Sequence, residues 1–165
     1  IAEEVHVIVL PGNHDPDAST HLTIQLHAHF RNVSKVHIDT SPAPHKFYRW
    51  GNNVFMGSHG HAPEKRLATF MLNQIIERGM AKNCKRKMIR LGHIHQSARK
   101  TPDPLTEVDG VIVERFPTLT AQEAYSVESA YTSCRATSIV LWHKEYGRFG
   151  GREITLGEIL DRYPI

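Results

Sequence analysis

At 165 residues the chain is long enough for one domain with a real core, or for a large part of a bigger one. Its 40% hydrophobic and 22% charged residues are ordinary for a soluble globular protein. No stretch approaches the ~20 apolar residues that cross a bilayer, so no membrane partner is expected. The apolar run Val5 to Leu10 is short and follows Glu3 and Glu4, so it is not expected to be a signal peptide. Cys84 and Cys134 form no CxxC pattern, so a disulfide framework is not expected and the reducing cytoplasm is the expected compartment. The net charge of +3 is mild, and most of the excess sits in Lys82, Lys85, Arg86, Lys87 and Arg90. That cluster reads as a solvated helix end or loop. Twelve histidines are many for this length, but most must be surface or core residues.

In chain order, Val5 to Leu10 is a β-branched apolar run closed by Pro11-Gly12, which predicts a buried strand. The loop Gly12-Asn13-His14-Asp15-Pro16 follows. Ser19 or Thr20 is the predicted cap of a helix to about Arg31, with Leu22, Leu26 and Phe30 on its apolar side. Val33 to Ile38 reads as a second strand. Pro42 and Pro44 then precede a hairpin, Lys46 to Trp50 and Asn53 to Met56, turning at Gly51-Asn52. The loop Gly57-Ser58-His59-Gly60-His61 ends that strand. Pro63 opens an amphipathic helix that carries Leu67, Phe70, Met71 and Ile75 and stops at Gly79. Met88 to Leu91 reads as a strand running into Gly92-His93-Ile94-His95. Beyond it lie predicted strands at Val111 to Phe116, Ser138 to His143 and Arg152 to Leu156, and a short helix near Ala121 to Tyr131. The repeat of strand, loop and helix predicts an α/β architecture of layered β-sheets with flanking helices.

Three Gly/His/Asn loops each follow a predicted strand, and ligand sites in open α/β sheets gather at the carboxyl ends of strands. Asn13 offers a carbonyl oxygen to a metal. His14 can work as an acid or base near neutral pH, and Asp15 can fix its tautomer. His59 sits between glycines, with His61 its competitor for a ligand role. His93 and His95 are two apart, so in extended backbone both rings share a face and can reach one ion or each hold one of two. His6, His21, His27, His29, His37, His45 and His143 read as structural or solvated. Arg115, Arg135 and Arg148 are cations that a substrate phosphate can meet, though no spacing selects them. Tyr125, Tyr131 and Trp142 read as core.

Gly12-Asn13-His14-Asp15, the His59 loop and Gly92-His93-Ile94-His95 stand in the order and setting of the GNH(D/E), H and GHxH motifs. In this the chain resembles the calcineurin-like metallophosphoesterases, well over Val5 to His95 and weakly from Thr101 onward. The resemblance implies that the chain is part of a calcineurin-like metallophosphoesterase fold and that the protein is a hydrolase of phosphoester bonds. It implies Asn13, His59 and His93 as ligands of the second metal, and His95 as a ligand of the first. It further implies His14 as proton donor or phosphoryl stabiliser, oriented by Asp15. Two cations would activate a bridging water for in-line attack on phosphorus. Imidazole and amide-oxygen ligands suit manganese, zinc, iron or nickel better than calcium. The implied partner is a phosphoester substrate, with nucleic acid or a nucleotide suggested by the basic stretch from Lys82 to Arg90.

The family pattern also begins with Asp-x-His and Gly-Asp-x-x-(Asp/Asn), and neither is present here. The bridging carboxylate is therefore missing, and weak, single-metal binding with little hydrolysis is the expectation for this chain by itself. The chain begins at Ile1 rather than Met, which is expected of a fragment, a processed product or an engineered form. Residues 1–165 are expected to form a single, incomplete domain, with the motif-bearing core in 1–100 and a divergent part in 101–165. A complementing N-terminal half, or a second copy pairing with an open strand edge, would complete it. The alternative is a non-catalytic remnant of the fold, acting as a binding or interaction module. A structural zinc domain would want four closed ligands, and neither cysteine is placed for one.

Overall fold

Alternation of side chains along Asn53–Ser58 gives this segment two different faces, and the remaining elements are layered on them. The computed structural model describes residues 2–13, 15–92, 105–117, 119 and 135–163. Among these residues nine strands and three helices form an α/β fold. A five-stranded mixed sheet holds the centre: β3 (His45–Trp50), β4 (Asn53–Ser58), β5 (Arg86–Leu91), β7 (Val111–Arg115) and β6 (Leu105–Val108), in that spatial order. β4, β5 and β7 run parallel, and β3 and β6 close the two edges in antiparallel fashion. A parallel pair, β1 (Val5–Val7) and β2 (Val36–Ile38), and an antiparallel hairpin, β8 (Ala136–His143) with β9 (Gly147–Thr155), make two smaller sheets.

One face of the large sheet is apolar. Val54, Met56, Ile89, Leu91, Val111 and Val113 point from it into the fully buried core. Helix α2 (Glu64–Glu77) covers them with Leu67, Ala68, Met71 and Ile75, a stripe at helical spacing. The helix ends as the sequence predicts. Gly79 takes φ +66, its N–H bonds the Ile76 carbonyl, and the Met80 N–H bonds the Ile75 carbonyl. This is a Schellman ending, in which glycine meets no steric penalty.

The opposite face carries Tyr48, Phe55, Arg90 and Glu114, and both small sheets lie against it. His6 of β1 packs on Tyr48 at 5.0 Å between ring centroids. Trp142 of β8 meets Phe55 edge-on at 4.9 Å. Arg90 lies over Phe55, Phe116 and Trp142, and Glu114 accepts from Arg148 of β9 at 2.8 Å. Burial holds the Arg90 guanidinium below its ordinary value, with nearby Glu114 working the other way. The basic stretch is therefore not uniformly solvated: Lys82 and Lys85 are exposed, whereas Arg90 fastens the hairpin to the sheet.

Several local expectations need correction. β1 is only three residues long and largely exposed, with Val5 at 42%; it pairs with one strand among the described residues, so it is not a buried strand. Helix α1 (Pro16–Phe30) begins before Ser19, because Pro16 suits the first turn and Asp15 occupies the position before it. Ser19 and Thr23 form its buried face, continued by the half-buried Leu26 and Phe30, while Leu22 is 46% exposed. Thr23 can be buried because its hydroxyl donates to the Ser19 carbonyl at 2.8 Å. β6 and a third helix, α3 (Leu156–Arg162), were not anticipated. The latter carries a legible cap: the Thr155 hydroxyl accepts from the Glu158 N–H at 3.3 Å. The helix expected near Ala121 to Tyr131 lies outside the described residues, as do Cys134, Tyr125 and Tyr131. Cys84 is a free thiol. No helix among the described residues is long and apolar enough to cross a membrane.

Candidate metal centre at the carboxyl rim of the large sheet

Parallel pairing of β4 with β5 sets Ser58 beside Leu91, so the residues that follow leave the sheet at one rim. The backbone closes that rim: Gly92 N–H donates to the His59 carbonyl at 3.2 Å. Gly60, buried at φ +106, turns the chain immediately after His59, a conformation that a side chain would strain.

The first loop reaches the same rim through a missing side chain. A Cβ on Gly57 would stand 2.8 Å from Leu10 Cδ1, so the glycine in β4 makes room for Leu10 to lie across the strand. That contact brings in the segment that follows Leu10. Lys46, on the same face as Gly57, is buried and ties β3 to the end of β2: its Nζ donates to the Asp39 carbonyl at 3.1 Å and lies 3.5 Å from the Asp39 carboxylate. At the end of the loop Asn13 Oδ1 stands 2.9 Å from His59 Nε2, although 46 positions separate the two residues. Two donors each about 2.1 Å from one ion, and 90–109° apart, stand about 3.0–3.4 Å from each other. As it stands the contact is a hydrogen bond in which the imidazole N–H donates to the amide oxygen, and a small side-chain adjustment would let both atoms face one transition-metal ion.

Asp15 braces the loop. Its Oδ1 accepts from the Gly12 N–H at 2.8 Å, bracketing the position of His14 from both sides in the chain. A Cβ on Gly12 would fall 2.4 Å from that oxygen and 3.5 Å from His59 Cε1, so Gly12 admits both neighbours. His14, His93 and His95 lie outside the described residues. Of the expected site residues, then, Asn13 and His59 are in contact, and Asp15 is bonded to Gly12 beside them.

His61 is exposed, with its ring 6.2 Å from that of His59. His45, opposite Ser58 in the β3–β4 register, packs on Phe70 and was read from sequence only as structural or solvated. Burial, and then the charge of His61, lower its pKa below the ordinary histidine value. The three arginines considered for phosphate contact are each engaged within the fold. Arg115 pairs with Glu64 at the start of α2, Arg148 with Glu114, and Arg135 donates to the Leu119 carbonyl at 2.9 Å. A second group of potential ligands, Glu4, His6 and His37, lies on β1 and β2 and their approach. Only the Glu4-x-His6 spacing was visible in the sequence, because the pairing with His37 is non-local.

Compared with known proteins, the chain matches no family model, no curated protein and no solved structure.

Proposed function

We propose that the chain is a calcineurin-like metallophosphoesterase that hydrolyses phosphoesters at this rim. The observation that carries the proposal is the 2.9 Å approach of Asn13 Oδ1 to His59 Nε2, since both residues belong to motifs assigned the same metal. Asn13 and His59 would hold the ion, joined by His93 and, for a second ion, by His95. When bound, the metal supplies a Lewis acid and a water of lowered pKa. Manganese, zinc, iron and nickel all suit such a donor set.

The protein's own groups do the rest. Asp15 holds the Gly12 N–H and so fixes the turn that presents Asn13. In this reading His14 would give a proton to the departing oxygen and Asp15 would orient it. His59 is held in turn by the Gly92 N–H, which keeps the two loops in register. The exposed lysines Lys82 and Lys85 precede β5 and lie at the opposite end of that strand from the rim, so they do not select a nucleotide or nucleic-acid substrate there.

A second reading, a non-catalytic metal-binding module, is favoured by the absence of Asp-x-His and Gly-Asp from the sequence. Hydrolysis of an aryl phosphodiester by the manganese-loaded chain separates the two. The enzyme reading predicts weak, manganese-dependent turnover that falls about 100-fold or to background in His14→Ala, with manganese content unchanged. Bound manganese without turnover would favour the binding module. A His14→Ala variant as fast as the wild type would remove His14 from the chemistry.

A further inference from the structure

We propose that Glu4, His6 and His37 form a second metal site, best matched to zinc, that clips β1 to β2. The parallel register places His6 directly opposite His37, so both imidazoles leave the sheet on one face. Their rings lie 4.6 Å apart between centroids and only 24° from parallel. Glu4 precedes His6 by two residues, and its Oε2 stands 3.4 Å from His6 Nε2. Two donors on one tetrahedral zinc stand about 3.4 Å apart, so this pair already has the spacing of neighbouring ligands.

One ligand atom from each of the three residues lies within 4.8 Å of the others. All three residues are exposed, so side-chain rotation can close the remaining gap without moving the backbone. The site opens on a cleft of about 230 Å³, lined in part by His6, His37, Phe47 and Tyr48, through which an ion can enter. Two imidazoles and a carboxylate suit zinc, copper or nickel rather than magnesium or calcium. Three protein ligands leave a fourth position for water.

The consequence is mechanical. β1 and β2 share only three register pairs, and β1 leads directly into the Gly12-Asn13 loop. An ion held by both strands would bind the folded ladder and not the unfolded chain, and so would stabilise it. This site is separate from the rim. Tyr48, which His6 touches, lies three residues along β3 from His45, the partner of Ser58, so about 10 Å of strand intervenes. The inference stands whichever way phosphoester hydrolysis is decided.

Titration with Zn²⁺ alone, read by calorimetry and by melting temperature, tests it on the full chain. The wild type should bind one more zinc ion per chain than the His6→Gln/His37→Gln double variant, and Glu4→Gln should bind that ion at least tenfold more weakly. His59→Ala should retain it. The zinc-induced rise in melting temperature should vanish in the double variant, while the metal-free melting temperatures of the two proteins agree. Equal zinc stoichiometry in the wild type and the double variant would overturn the proposal, as would loss of all zinc in His59→Ala.

Discussion

His45 shows how a residue beside a site can make the stability of the fold depend on pH. Burial and the neighbouring His61 depress its pKa, so it is neutral in the folded protein at pH 7. The unfolded chain takes up its proton near pH 6.5, above the folded value. The unfolded state therefore binds more protons as the pH falls below that point, and the folded state loses stability relative to it. The contribution is fully present above about pH 6.5 and is lost on acidification towards the lower folded pKa. Melting temperatures measured from pH 7.5 to 5.5 should fall more steeply for the wild type than for His45→Phe; parallel curves would contradict this. Among single residues, Asn13 and His59 were legible because each stands in a loop whose neighbours are chemically distinctive. The means of their meeting was not. It depends on Leu10 lying across Gly57, a contact between distant segments that no spacing encodes. The same holds for Arg115 and Arg148, whose partners Glu64, at the start of α2, and Glu114, on β7, are brought to them by packing between elements.

At the scale of elements, local signals and outcomes agree where one helix or one hairpin contains the whole argument. Helix α2 carries its buried stripe and its terminating glycine in sequence. Gly79→Ala should destabilise the protein by about 1 kcal/mol, since alanine must hold the left-handed conformation, and denaturant unfolding would register the loss. No change would mean that the Schellman ending contributes little. Gly51, at φ +55, begins the two-residue turn between β3 and β4 as read from sequence. Helix α1 was less legible because its inner stripe uses Ser19 and Thr23, polar residues that become buriable only by bonding their own helix or its surroundings. α3 could have been found from Thr155 and Glu158, whose three-residue spacing is that of a capping box. β6 offers Leu105 to Val108 with only a weak alternation, and its edge position is fixed by β7.

For the whole molecule, the two faces of one sheet explain the arrangement. The apolar face receives α2, and the face bearing Tyr48, Phe55, Arg90 and Glu114 receives two small sheets. The α/β class followed from the succession of strand and helix signals. The assignment of each strand to a sheet required contacts that only the folded chain displays. What this layering achieves is to bring the Gly12-Asn13 loop, the His59 loop and Gly92 to one rim, where an amide and an imidazole converge. Whether this convergence holds a metal, as proposed, is decided by elemental analysis of manganese per chain. Wild type and His59→Ala, incubated with Mn²⁺, desalted and shown by circular dichroism to be equally folded, would be compared. Manganese bound to the wild type should be largely lost from His59→Ala; equal manganese in the two proteins would mean that Asn13 and His59 hold no ion.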